Sequence, residues 1–280
     1  MSDFVLSDLP VAASYSGGTS SEWLIEATRQ GVIPRPRVLI VVSADTGEEH
    51  SWTYVAMAEV EERCKQSGIP YLRCANATRL GDDLISIRSR GRTRVDQPPV
   101  YIAKDGGGRG QSEHRCTRHY KLAPMRRTVA RWLKSKGLKK RVEKWIGFAA
   151  DEAGRAIKSM GKHDLQWEVL RFPAIELGVT RAQQRADLVR WTGRAPKFSM
   201  CVCCPKKTPG RWLQTEGADL ERAVQIDEAV RDSMYNVGLT DGDAYLCDRL
   251  IPVRELIERG DPQPNLPGLE SYCDGGACFL

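Results

Sequence analysis

The chain has 280 residues, of which 41% are hydrophobic and 28% charged, with a net charge of +6 and nine cysteines. That composition is ordinary for a globular protein, and the length suits one large α/β domain or a domain with a smaller appendage. The longest apolar run, near Val38 to Val42, is far too short for a membrane span, and the start Met1-Ser2-Asp3-Phe4 is neither basic nor apolar like a signal segment, so a cytoplasmic location and no membrane partner are expected.

In chain order, Val11-Ala12-Ala13 leads into Ser14-Tyr15-Ser16-Gly17-Gly18-Thr19-Ser20-Ser21 and then the helical pattern Trp23 to Ala27. That order reads as strand, glycine turn, helix. Glycines let a backbone turn tightly and bring N–H groups to an anion, and the helix N-terminus adds partial positive charge. The P-loop lysine is missing, so this is not a Walker A site. Arg37 to Asp45 is a continuous β-branched run, as in a strand buried on both faces. The loop Thr46-Gly47-Glu48-Glu49-His50 follows, then helical periodicity through Tyr54, Met57, Val60 and Cys64, and a third strand over Ile69 to Cys74. This β-α-β-α-β order predicts a doubly wound parallel sheet with ligands at the carboxyl ends of its strands.

Residues 81–118 are punctuated by Gly91, Pro98, Pro99 and Gly106 to Gly108 and carry Arg88, Arg90, Arg92 and Arg94, so a mobile active-site loop is expected there. Helical pattern returns from Tyr120 to Leu138, with a basic run from Arg126 to Lys144 that reads either as a solvated helix face or as a phosphate-backbone surface. A fourth strand is expected over Trp145 to Ala149 and a fifth over Val169 to Ile175; Thr180 caps a helix from Arg181 to Trp191. Further helices are expected around Ala218 to Val230 and Val253 to Arg259, before a tail rich in proline and glycine. The division expected is a nucleotide-binding α/β domain over 1–200 and a cysteine-bearing extension over 201–280.

Cys64, Cys74 and Cys247 sit in apolar patterns and read as core. Cys116, Cys201, Cys203, Cys204, Cys273 and Cys278 lie in polar, turn-like segments. In a reducing compartment such clustering points to metal or redox chemistry. Cys201 and Cys204 form a C-x-x-C pair, the spacing at which two thiolates share one metal centre. A four-thiolate site of Cys116, Cys201, Cys204 and Cys273 is available, with Cys278 in reserve and Cys203 turned away.

Five ordered motifs resemble the phosphoadenosine phosphosulfate reductase-like family of PP-loop ATP pyrophosphatases, within the adenine-nucleotide α-hydrolase superfamily. Ser16 to Ser21 resembles Ser-Gly-Gly-x-x-Ser, and Asp45-Thr46-Gly47-Glu48 resembles Asn/Asp-Thr-Gly-x-Glu. Cys116 to Lys121-Leu122-Ala123-Pro124 resembles Cys-x4-Lys-Ile/Val-x-Pro, Gly147 to Asp151-Glu152 and Arg155 resembles Gly-Ile-Arg-x-Asp-Glu-x-x-Arg, and Cys201 to Pro205 resembles Cys-Val-Gly-Cys-Pro. The assimilatory reductases carry a tandem Cys-Cys where this chain has Cys116-Thr117, and a Glu-Cys-Gly tail where it has Glu270-Ser271-Tyr272-Cys273. The resemblance therefore leans toward the activating members, close to the sulfur-activating proteins of DNA phosphorothioation.

The resemblance implies ATP, with Mg2+, held by Ser16, Gly17, Gly18, Thr19, Ser20, Ser21, Asp45, Thr46 and Gly47. It implies Ser16, Lys121 and Arg155 as catalytic, Lys207 as a further phosphate contact, and a [4Fe–4S] cluster ahead of Zn2+ on the four cysteines. The reaction implied is adenylylation of a nucleic-acid acceptor, DNA ahead of tRNA, with sulfur from a cysteine desulfurase or another donor. The alternatives are reduction of an adenylyl sulfate to sulfite and a non-catalytic nucleotide-binding partner in a modification complex.

Overall fold

Successive side chains of a strand point to opposite faces, and the apolar runs of the N-terminal half feed two separate cores in this way. Val11, Ala13, Tyr15, Leu39 and Val41 enter one core, whereas Ala12, Ile40, Val42 and Ala44 enter another. The computed structural model describes residues 4–87, 96–104, 106–161, 163, 165–234, 236 and 238–260. Its elements in chain order are β1 (Val11–Tyr15), α1 (Thr19–Arg29), β2 (Leu39–Asp45), α2 (Ser51–Gln66), β3 (Tyr71–Ala75), α3 (Leu80–Ile85), β4 (Tyr101–Lys104) and β5 (Arg109–Gln111). A π-helical turn (Thr117–Leu122) then runs into α4 (Ala123–Ser135), followed by β6 (Val142–Trp145), a 3₁₀ turn (Ala150–Glu152) and α5 (Ala153–Gly161). The remainder comprises β7 (Glu168–Arg171), α6 (Pro173–Glu176), α7 (Arg181–Thr192), α8 (Pro209–Trp212), α9 (Gly217–Met234), β8 (Gly242–Tyr245) and α10 (Val253–Arg259).

The central sheet has five parallel strands in the order β3-β2-β1-β6-β7, with Ala13 in register between Val41 and Trp145. Residues of α1, α2 and α7 pack on one face and residues of α4 on the other. The fold is a doubly wound α/β sheet, as the element order predicts.

Two strands sit earlier than their sequence suggests. The fourth occupies 142–145 and not 145–149, because Glu143 and Lys144 disguise it. Both are buried: Trp145 Nε1 donates to Glu143 Oε2 at 2.9 Å, and Lys144 lies near Glu168 on β7, burial pushing its ammonium pKa down. The fifth ends at Arg171, since Pro173 opens α6 in the position where a missing N–H costs least.

The segment expected as a mobile loop contains α3 and the β4–β5 hairpin; residues 88–95 and 105 lie outside the described residues. β8 pairs antiparallel with β4, Ile102 opposite Ala244, in a second sheet ordered β5-β4-β8. Leu80, Leu84, Val100 and Tyr120 share one apolar core with Met200 to Cys204, Trp212, Val230, Leu246 and Leu256. The C-terminal extension is thus built together with residues from the middle of the chain.

The loop after β6 approaches the start of α1 backbone to backbone. A Cβ on Gly147 would lie 2.0 Å from Ser20 O, whereas one on Gly154, in α5, would meet nothing within 4 Å. Gly147→Ala is expected to destabilise the protein by about 2–4 kcal/mol. Gly154→Ala is expected to stabilise it by about 0.5–1 kcal/mol through helix propensity. Chemical unfolding midpoints of the two variants check the pair.

Candidate functional site

In a 3-2-1-6-7 sheet the connections leave β1 in opposite directions, which opens a crevice at the carboxyl ends of β1 and β6. The Ser16–Ser21 loop occupies that place. Gly17 adopts φ +78°, a conformation glycine takes without strain. The Ser21 hydroxyl fixes the loop: it donates to Gly18 O at 2.9 Å, accepts from Ser16 N at 3.1 Å and lies 3.0 Å from Ser16 Oγ. The first-turn N–H groups of α1 face out from the helix end, as in every helix N-terminus. Among the described residues, the buried Ser20 Oγ and Thr53 Oγ1 have no hydrogen-bond partner. A Cβ on Gly17 would sit 2.5 Å from Thr53 Cγ2, while one on Gly18 would make ordinary contact with Ser199 Cβ at 3.5 Å. Gly17 is therefore the sterically demanding glycine of the pair. Ser199 Oγ donates to Ser16 O and braces the loop from the far side.

The loop after β2 forms the second wall. Asp45 Oδ1 accepts from Gly47 N at 2.7 Å and from Tyr54 OH at 2.9 Å. Glu48 and Glu49 are both buried. Glu48 takes a two-point ion pair from Arg222 of α9, Nε to Oε2 at 3.0 Å and Nη2 to Oε1 at 2.6 Å. Glu49 Oε1 accepts from Thr46 Oγ1 at 3.1 Å and lies 3.3 Å from Lys121 Nζ, while its Oε2 has no hydrogen-bond partner among the described residues. Cys201 forms a backbone bridge with Glu49, and its Sγ stands 3.2 Å from Thr46 Oγ1 and 3.6 Å from Glu49 Oε1. Asp219, one turn before Arg222, accepts from Ser51 N and Ser51 Oγ, both at 2.9 Å, and so caps α2 from another helix.

The structure thus gathers Ser16 to Ser21, Asp45 to Gly47, Lys121 and Cys201 at one sheet edge. Arg155 lies beyond β6, its guanidinium on the Glu152 carboxylate and 4.5 Å from the Phe148 ring centre, with Nη2 buried and unpartnered among the described residues. Lys207, expected as a phosphate contact, is turned inward: Nζ donates to Val202 O at 2.8 Å and Thr215 Oγ1 at 3.1 Å, and burial pushes its pKa down to about 7. Five residues the sequence reading did not assign complete the site: Glu49, Thr53, Ser199, Asp219 and Arg222. The only signal for Glu49 was its place directly after the Asp-Thr-Gly-Glu loop.

Cys64, Cys74 and Cys247 are core residues. Cys201, Cys203 and Cys204 are buried in the C-terminal core and Cys116 packs against it; burial pushes the Cys203 thiol pKa up. Cys273 and Cys278 lie outside the described residues. Among the described residues no three His, Cys, Asp or Glu side chains are grouped as a metal ion requires. Neither a [4Fe–4S] cluster nor Zn2+ finds a complete ligand set among the described thiols.

No family model and no curated protein matches the sequence. Among solved structures, the U34-tRNA thiolase NcsA from Methanococcus maripaludis with its [4Fe–4S] cluster is similar at 13% identity and a TM-score of 0.36, over 98% of this chain and 82% of that one. A likeness of that size carries no argument about activity. No helix among the described residues is long and apolar enough to cross a membrane.

His50 offers a direct probe of how the two walls join. It is fully buried, stacked on Trp52 with ring centres 4.0 Å apart, and Nδ1 lies 3.2 Å from Asp219 Oδ2. Burial first, and then the Lys207 ammonium, push its pKa down to about 3. The unfolded chain takes up a proton on this ring below about pH 6.5, whereas the folded protein does so only near 3, so acid favours unfolding in that window. Between pH 7 and 5 the loss assigned to His50 is about 2 kcal/mol. His50→Gln is expected to flatten that part of the stability–pH curve, measured by denaturant unfolding at each pH.

Proposed function

We propose that this chain is a PP-loop ATP pyrophosphatase that adenylylates a nucleic-acid acceptor for sulfur insertion. One observation carries the reading. A glycine turn at the start of α1, at the crevice of a doubly wound sheet, is flanked by buried hydroxyls, Ser20 Oγ and Thr53 Oγ1, that have no hydrogen-bond partner among the described residues. Buried polar groups are ordinarily satisfied, and phosphate oxygens supply the missing acceptors.

In this reading the α1 N-terminus and the Ser16–Ser21 loop hold the ATP phosphates, with the adenine near the Ala44–Gly47 loop. An acceptor oxygen attacks the α-phosphorus, the bond to the β-phosphate oxygen breaks, and pyrophosphate leaves. A sulfur nucleophile from a donor such as a cysteine desulfurase then displaces AMP. Lys121 and Arg155 offset charge that develops on the transferring phosphate, and Glu49 holds the Lys121 ammonium in place. Mg2+ accompanying ATP supplies further charge neutralisation. The motif resemblance places DNA ahead of tRNA as acceptor.

Isothermal titration with ATP tests the loop. Gly17→Ala is expected to weaken binding more than tenfold, and Gly18→Ala much less, with unfolding midpoints recorded for both. Turnover tests the chemistry. ATP with duplex DNA or tRNA is expected to yield AMP and pyrophosphate, and Lys121→Met to slow this by about 10²–10³-fold, the range for loss of one charge-stabilising contact. Efficient release of sulfite from an adenylyl sulfate with a thiol would replace this reading by the reductase one.

A further inference from the structure

The net charge of the chain is carried by one segment. Between residues 114 and 142 there are eleven Lys and Arg and no Asp or Glu, against a total of +6 for all 280 residues, so the rest of the chain is net acidic. The fold arranges that charge. Met125, Val129 and Leu133 of α4 are buried against the sheet. On the outer side Arg127, Arg131 and Lys134 are exposed at helical spacings of four and three, which places them within about 60° of arc and about 10 Å of helix length. The turn that follows adds Lys136, Lys139, Lys140 and Arg141, all exposed. None of the seven has an ion pair among the described residues. Some exposed cations elsewhere do, such as Arg73 with Glu61, Arg190 with Asp187 and Arg259 with Glu255. Arg126, on the flank of the helix, is the member drawn inward, 3.5 Å from Glu168.

The stripe also has a direction. It begins at Arg127, five residues past the π-helical turn that brings Lys121 to the site, and α4 carries it back across the sheet to the amino end of β6. We infer that the outer face of α4 and the 136–141 turn form a track for the phosphate backbone of a double-helical nucleic acid whose reacting nucleotide lies at the sheet edge. The choice of nucleic acid rests on the proposed acceptor; the track itself rests on the charge arrangement. Phosphates follow one another at 3.4 Å of axis per strand, so Arg127 to Lys134 spans about three of them. A membrane surface does not fit, because interfacial helices present large apolar side chains outward and those of α4 face the sheet. Contacts of this kind position a duplex without reading its bases.

The test is binding of fluorescein-labelled 20-base-pair DNA and RNA duplexes by anisotropy, without ATP, across a salt series. The triple variant Arg127→Glu, Arg131→Glu, Lys134→Glu is compared with a control of equal charge change on other faces, Arg73→Glu, Arg190→Glu, Arg259→Glu. The track variant is expected to lose more than tenfold in affinity at about 0.1 M salt and to flatten the log K against log salt slope by about 3, near 0.9 per lost phosphate contact. The control is expected to change both far less. Equal losses in the two variants would mean that net charge alone acts and would overturn the track. So would unchanged duplex binding, or stronger binding of anionic vesicles that the track variant alone abolishes. Because ATP is absent, failure here is distinct from failure of the pyrophosphatase reading, which the turnover assay decides.

Discussion

Two adjacent carboxylates buried at the end of β2 set the terms for everything around them. Glu48 and Glu49 are each at most 5% exposed, and a buried charge is tolerated only where a partner answers it. The partners arrive from far along the chain. Arg222 on α9 answers Glu48, and Lys121 on the π-helical turn answers Glu49. Removing one member of such a pair leaves the other uncompensated, at about 3–5 kcal/mol. The β2–α2 loop, the start of α4 and the extension are therefore one structure. Asp219 and Arg222, one turn apart on α9, hold Glu48, His50 and Ser51 of the site wall between them.

Behind the glycine turn a second set of buried charges fixes α1. Glu22 and Glu26 are almost fully buried within its first two turns. Arg63 of α2 reaches both, at 2.7 and 2.8 Å, and Arg194 reaches Glu22 at 2.8 Å. Acid near a helix N-terminus also suits the helix dipole. The loop thus rests on a helix clamped from two sides, the rigid support a binding site needs if its donors are to stay aimed.

Much of this architecture was legible in the sequence where one local signal decided the outcome. Arg37 to Asp45 could only be a buried strand. The Ser16–Ser21 turn announced a strand-to-helix junction, and Thr180 capped its helix through Gln183 as its type suggested. What escaped depended on partners remote in sequence. Glu143 and Lys144 break the apolar pattern of the fourth strand, because their compensation lies on other side chains, and the expected strand was displaced accordingly. The β4–β8 pairing joins segments some 140 residues apart, so 81–118 looked structureless when read alone. Lys207, beside a turn rich in cysteine, read as a phosphate contact, yet Val202 and Thr215 offer its ammonium an interior place. The ion pairs of Glu48 and Glu49 had no signal in the sequence for the same reason: their basic partners sit on elements that sequence proximity does not reveal.

The cap that Asp219 provides has a consequence for the order in which the protein takes shape on the ribosome. Domains tend to form from the N-terminus as the chain emerges, and all five strands of the central sheet have been made by residue 171. At that stage Ser51 lacks its acceptor and Glu48 its guanidinium, since both come from α9, which begins at Gly217. A nascent chain can build its scaffold while the wall of the crevice still waits for α9. The β2–α2 loop then takes its final form only after α9 has emerged.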